Sequence, residues 1–231
     1  MATGNSFATD WMLQAFSHEI GIQGGSIRDT FDDGERLFIR SVLPGIEQVQ
    51  RDDRLQGGVA LKAFAGEILV YPYVFRLVCS NGAIMAHTAA SRRLSILVDQ
   101  EQDVTVADLC EAVRACCVAD VFGSPFEQIL RARDVVADPG LSLLPMLSRL
   151  SGGSGTGVLQ QIMRRFFESG DRSRFGLMNA VTSVARDTAD PAARWNLEEL
   201  GGGIPMDAEG PTPRMPMRGA SRRKRAALVP A

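Results

Sequence analysis

Histidine, cysteine and paired carboxylates are the side chains through which this chain could do chemistry, and each kind is scarce or poorly spaced. There are two histidines, His18 and His87, so an imidazole acid–base mechanism depends on one of them. Ala86, Ala89 and Ala90 beside His87 favour a packed or turn-stabilising position. Cys79, Cys110, Cys116 and Cys117 contain no Cys-x-x-Cys pair, the spacing on which compact zinc sites are built. Cys110 and Cys117 are expected on one helix face with Leu109 and Val113, as small buried hydrophobes. Asp32-Asp33 and Asp52-Asp53 could offer oxygens to magnesium, yet both pairs lie among the glycines and polar residues of exposed loops. The glycine-rich stretch from Gly152 to Gly157 lacks the lysine of a phosphate loop and reads as a connection between helices. With Lys62 and Lys224 the only lysines, Schiff-base chemistry has little to work with. No catalytic residue, metal ligand or cofactor is assigned.

The elements that must position any site begin with an apolar run. Alternating and β-branched residues from Ile68 to Val78 favour an extended chain, and Asn81-Gly82 is expected to form the turn that ends it. Pro72 inside the run predicts a bend or a sheet edge rather than one continuous central strand, because proline donates nothing to a ladder. Upstream, Val59, Leu61 and Ala63 alternate with Ala60, Lys62 and Phe64 before Ala65-Gly66, which predicts a hairpin.

After about residue 105 the apolar period changes from two to 3.6. Thr105-Val106-Ala107-Asp108 is a helix-start signature, followed by Val106, Leu109, Cys110, Val113 and Cys117 on one face. Ser124-Pro125 predicts a second start, with Phe126, Ile129, Leu130 and Val136 inward. Thr156 is expected to cap a helix burying Leu159, Ile162, Met163 and Phe166, with Arg164 and Arg165 outward. Ser173 is expected to cap another that buries Phe175, Met178, Thr182 and Ala185, and Asp190-Pro191 to start the last, ending near Gly201. Strands followed by helices predict an α+β fold, an antiparallel β-sheet in the N-terminal half and a helical C-terminal half.

At 231 residues and 45% hydrophobic content the chain can bury one substantial core. The expected organisation is a partly helical N-terminal extension over 1–35, one α+β domain over 36–204 and a disordered basic tail over 205–231. Residues 1–210 hold 19 of the 25 basic residues and all 27 acidic ones, a net charge of −8. Arg214, Arg218, Arg222, Arg223, Lys224 and Arg225 stand without an acid in the remainder, an arrangement suited to phosphates or to simple solvation. No apolar stretch is long enough to cross a bilayer and no leader is evident, so a cytoplasmic protein is expected.

Arg76-Leu77-Val78-Cys79-Ser80-Asn81-Gly82, followed by His87-Thr88, resembles the signature of the phage/plasmid-like family called domain of unknown function 932. Gly176-Leu177-Met178-Asn179-Ala180-Val181-Thr182 with Ala185-Arg186 resembles that family's Asn-Ala-x-Thr helix, and Leu197-Glu198-Glu199-Leu200-Gly201-Gly202 resembles its end. The family-motif residues are thus Arg76, Cys79, Asn81, Gly82, His87, Thr88, Asn179, Thr182 and Glu198, within a resemblance spanning about Arg36 to Ile204. It implies an accessory protein of prophages or plasmids. Combined with the basic tail, it leads to the expectation of a non-enzymatic protein binding single-stranded DNA through Arg76, Arg92, Arg93, Arg222, Arg223, Lys224 and Arg225. A homo-oligomer that anneals or protects strands is one form of that expectation. A protein-binding, host-modulating factor without nucleic-acid contact is the alternative. Asn179 is expected to tie helix to sheet.

Overall fold

The computed structural model describes residues 9–50, 53–77, 80–86, 88–95, 105–143 and 154–206. Helix α1 (Asp10–Ile22) precedes seven strands, β1 (Ser26–Asp32), β2 (Arg36–Val42), β3 (Glu47–Gln50), β4 (Asp53–Phe64), β5 (Glu67–Arg76), β6 (Asn81–Ile84) and β7 (Arg92–Ser95). Helices α2 (Val106–Cys116), α3 (Asp120–Arg131), α4 (Ser154–Glu168), α5 (Arg174–Arg186) and α6 (Pro191–Gly203) follow, and residues 139–143 are also helical. The fold is α+β, with one antiparallel sheet in the N-terminal half and helices in the C-terminal half.

The sheet runs β1-β2-β4-β5-β6, with β3 paired to β4 and β7 to β5. Its centre is the β4–β5 hairpin, which Ala65 (φ 51°) and Gly66 (φ 79°) close with two left-handed residues between Phe64 and Glu67. That conformation matches the right-handed twist of the strands it joins. β1 lies before Arg36, where the domain was expected to begin, and pairs with β2 from Ser26↔Val42 to Asp32↔Leu37.

Two turn expectations are corrected here. β5 is one continuous strand through Pro72, which lies opposite Val59 of β4. The Pro72 carbonyl accepts from the Met85 N–H at 2.8 Å, so its nitrogen also faces away from β4. On that side β5 changes partner from β7, opposite residues 67–70, to β6, opposite residues 73–76, and the missing donor falls in the gap. Asn81 and Gly82 lie within β6, opposite Arg76 and Phe75, and Ser80 just before them is left-handed (φ 53°). Gly82 has no side chain for a long-range reason: a Cβ there would strike the hydroxyl and ring of Tyr73.

Both faces of the sheet are covered. Leu37, Ile39, Val59, Leu61, Ile68 and Val70 pack against Met12, Phe16 and Ile20 of α1 and Leu109, Val113 and Cys116 of α2. Phe38, Leu69, Tyr73, Phe75 and Ile84 on the other face pack around Trp195 of α6. Each such side chain contributes roughly 1.5–3 kcal/mol when fully buried. A third cluster joins Leu55, Val74 and Met85 to Phe122 and Ile129 of α3, Ile162 and Phe166 of α4, and Leu177 and Val181 of α5.

The helix caps follow local chemistry more closely than the helix faces do. The Thr105 hydroxyl accepts from the Asp108 N–H at 3.2 Å while the Asp108 carboxylate accepts from the Thr105 N–H at 2.8 Å, a complete capping box. Ser173 and Asp190 cap α5 and α6 as expected, but α6 continues to Gly203, past Gly201. In α2 the buried residues are Leu109, Ala112, Val113 and Cys116, while Val106 is 53% exposed. α3 begins at Asp120, not Ser124, and carries Pro125 inside it. Phe122, Pro125, Phe126 and Ile129 form one buried stripe, whose period overrides the start signal of the proline. Val136, expected inward, is 78% exposed beyond the end of that helix. α4 begins at Ser154, which places Thr156 inside the helix rather than at its cap.

Candidate functional site

The end of β5 and the start of β6 lie beside α4 and α5, and a cleft of about 580 Å³ opens where they meet. From the sheet come Arg76, Ser80 and Asn81; from α5 come Asn179, Ser183 and Arg186; from α4 comes Arg165. Glu168, Ser169 and Asp171 complete the rim at the α4–α5 connection. The volume lies in the range of small-ligand clefts.

The α5 side of the cleft is shaped by its own spacing. Gly176, Asn179, Ala180, Ser183 and Arg186 recur every three or four residues, so one stripe of the helix is small or polar, its Ala180 buried at the edge of the core that Leu177, Val181 and Val184 enter. Gly176 lets α5 approach the preceding turn, because a Cβ there would meet the Asp171 backbone oxygen. Ser173 accepts from the Gly176 N–H at 3.1 Å and so sets where the first turn begins.

Three guanidiniums line the cleft with two carboxylates, Glu168 and Asp171, and a third carboxylate, that of Asp187, bonds two of the three guanidiniums. Arg165 donates from Nη2 to Asp187 Oδ2 at 2.8 Å, and Arg186 from Nε to Asp187 Oδ1 at 3.0 Å. One carboxylate thus orients two arginines. Arg186 and then Arg165 hold the Asp187 carboxyl below its ordinary value. Arg165 also donates to the Ser183 hydroxyl and is half-buried, although its position on α4 was expected to face outward. The Arg76 guanidinium lies 5.0 Å from the centroid of the buried Phe175 ring, and Arg133 lies 4.0 Å from the same ring.

Behind the cleft, Arg76, Asn81 and Asn179 also line a slot of about 10 Å³, closed by Leu55, Val74, Ile129 and Met178. Asn81 is 4% exposed. Asn81 Oδ1 and Asn179 Oδ1 are both shut off from solvent and accept no hydrogen bond from the protein. Thr182 lines the slot as well, but its hydroxyl donates to the Met178 carbonyl at 2.9 Å.

The fold brings Arg76, Asn81, Gly82, Asn179 and Thr182 together around this slot, across about a hundred residues of sequence. It does not bring Arg92 and Arg93 to them. Arg92 and Arg93 pair with Val70 and Leu69 at the other end of β5, roughly 20 Å along the strand from Arg76. Arg93 faces Glu67 at 3.2 Å, and Arg92 donates to the carbonyls of Ala89 and Ser91. Thr88 is occupied in the β6–β7 connection, with its Oγ1 3.1 Å from Ser91 Oγ. Glu198 sits under α6, bonded to Arg40 and Arg194. Cys79, His87, Arg222, Arg223, Lys224 and Arg225 lie outside the described residues. Arg165, Ser183 and Arg186 were not among the expected site residues; the polar stripe along α5 was the signal that could have found the last two.

Cys116, Cys117, Asp32 and Asp33 serve packing and turns, and residues 154–157 of the glycine-rich stretch, expected as a connection, form the first turn of α4. Cys116 and Cys117 are buried, and burial pushes both thiols up to about 12. Asp33 accepts from the Arg36 backbone and guanidinium, and Asp32 from the Gly34 N–H and the Thr9 hydroxyl. Among the described residues no helix is long and apolar enough to cross a membrane. No family model, curated protein or solved structure matches this chain.

Proposed function

We propose that this protein is a non-enzymatic accessory factor of the phage/plasmid-like family it resembles, and that the cleft holds a segment of single-stranded DNA. The observation that carries the reading is the grouping of three arginines with two asparagines in one cleft, Arg76, Arg165 and Arg186 beside Asn81 and Asn179. Guanidiniums suit the phosphate backbone, and asparagine amides suit base edges that only a single strand presents free of pairing. What supports the family reading is that motif residues from two distant segments line the same slot. Arg92 and Arg93, about one strand length away, would extend the contact along a longer strand rather than join the cleft.

Fluorescence anisotropy of a labelled single-stranded oligonucleotide with the full chain tests the proposal. Binding should weaken with salt, and Arg186→Ala and Arg76→Ala should each flatten the slope of log K against log salt by about 0.7. Absence of binding at low salt overturns the reading. Binding unchanged by both substitutions moves the contact out of the cleft.

A further inference from the structure

We propose that the slot between Asn81 and Asn179 receives the exocyclic amino group of a base, so that the cleft prefers cytosine to thymine. This inference rests on the reading of the cleft as a single-strand site and adds the chemistry by which it would choose among bases. Its starting point is an imbalance in hydrogen bonding. Asn81 and Asn179 line one small space, and the buried Oδ1 of each accepts nothing from the protein. A buried acceptor left without a donor costs about 1–3 kcal/mol, so a group that supplies two donors at once gains twice there.

Size and charge narrow the identity of that group. About 10 Å³ admits one group of the size of water and excludes a ring. A methyl group would fit, but would leave both oxygens unpaired. A metal ion or an ammonium would meet the positive charge of Arg76 on the same wall, and no cluster of His, Cys, Asp or Glu among the described residues could hold a metal. A neutral –NH2 fits the space and carries two N–H donors, one for each asparagine. On a nucleobase that group is the exocyclic amine, with the ring lying in the wider cleft outside. Thymine carries a carbonyl at the place of the cytosine amine, and its lone pairs would face two amide oxygens. Because Asn81 belongs to β6 and Asn179 to α5, the pair exists only where sheet and helix meet.

Competition on the full chain decides the matter. A labelled mixed-sequence single strand is displaced by oligo-dC, by oligo-dT, and by an oligomer of 2-pyrimidinone deoxynucleotides, which is cytosine without its amino group. Oligo-dC is expected to compete at least about fivefold better than the other two, the low end of what one well-made base contact discriminates. In Asn179→Leu the labelled strand should bind more weakly, and the ratio of oligo-dC to oligo-dT competition should fall to about one. Equal competition by all three oligomers overturns the inference, makes the slot a hydration site and leaves the cleft reading standing. A preference that survives Asn179→Leu, or that persists without the amino group, overturns it as well. Failure of the labelled strand to bind at all defeats the cleft reading and this inference together.

Discussion

Arg40 donates from Nε to Oε2 of Glu198 at 2.6 Å across 158 residues of sequence, with both side chains 2% exposed. The contact is one side of a closed ring. Glu198 Oε1 accepts from Arg194 Nε at 3.0 Å, Arg194 Nη2 donates to Asp29 Oδ2 at 2.8 Å, and Asp29 Oδ1 accepts from Arg40 Nη1 at 3.1 Å. A bulge in β1 places Asp29 there: the register against β2 shifts between Ile27 and Asp29, and the extra residue, Arg28, lies 4.3 Å over the Phe75 ring. The ring clamps α6 onto the sheet, and α6 carries Gly201, which meets Thr182 of α5 closely.

Glu198→Leu should destabilise the fold by about 3 kcal/mol, because the buried Arg40 guanidinium would keep only the part-exposed Asp29 carboxylate as a partner. Burial lifts the Glu198 carboxyl above its ordinary value, and the guanidiniums of Arg40 and Arg194 oppose that rise. The double substitution Arg40→Met with Glu198→Leu should recover a large part of the loss, since an apolar pair needs no partner. Urea unfolding of the three proteins checks both statements. A double variant as unstable as Glu198→Leu alone would mean that the Arg40 charge is not the cause.

A second buried carboxylate sets a pH dependence. Burial acts to raise Glu19, but the Arg114 fork at 3.1 and 2.9 Å and the Gln23 amide overcome it and hold the carboxyl below its ordinary 4.5. A group lowered in the folded state contributes stability that is present above about 4.5 and is lost as pH falls through the folded value. The urea midpoint should therefore decline below pH 4.5, and decline less in Arg114→Met. Asp33, Asp108 and Asp187 are also held low, so the substitution should leave part of the acid limb in place.

Three glycines should separate close approach from helix propensity. A Cβ at Gly202 would strike the carbonyl of Ile84, as one at Gly82 would strike Tyr73. Gly82→Ala and Gly202→Ala should each cost about 1–3 kcal/mol through forced repacking. Gly123, on an open side of α3 with nothing within 4 Å of a built Cβ, should gain roughly 0.5–1 kcal/mol on conversion to Ala. Thermal unfolding should rank Gly123→Ala above the unsubstituted protein and the other two below it.

Cys116 and Cys117 should resist thiol reagents at pH 8 in the folded protein, because burial holds both thiols near about 12 and away from solvent. Mass spectrometry after maleimide labelling should find these two modified only in denaturant. Labelling of Cys116 at the rate of a free thiol under native conditions would show that α2 opens away from β5.

The parts of this fold legible in the sequence are those decided within a few residues. Thr105 with Asp108, Ser173 with Gly176, and Asp190 with Pro191 bond to their own helix starts, so their meaning is local. Ala65-Gly66 closes its hairpin for the same reason. Asn81-Gly82 carries the composition of a turn, yet Gly82 answers to Tyr73 in the neighbouring strand. Pro72 reads as a strand breaker until β6 and β7 are seen to divide that side of β5 between them. Pro125 reads as a helix start until the stripe through Phe122 and Ile129 is placed in the core.

The candidate site divides in the same way. Arg76, Asn81 and Asn179 stood out by their types and setting, but nothing local to any of them says that the two asparagines line one slot. Arg165 looked like a solvent-facing residue because its half-buried position depends on Asp187 and Ser183 of the next helix. The sequence by itself determined the fold class, the hairpin and most of the helix caps, because hydrogen bonds within a few residues and the apolar period act along the chain. Only the tertiary structure decided which polar side chains share a cleft and which close the ring at Arg40, because those contacts arise where a helix and a strand distant in sequence are packed together by the core between them.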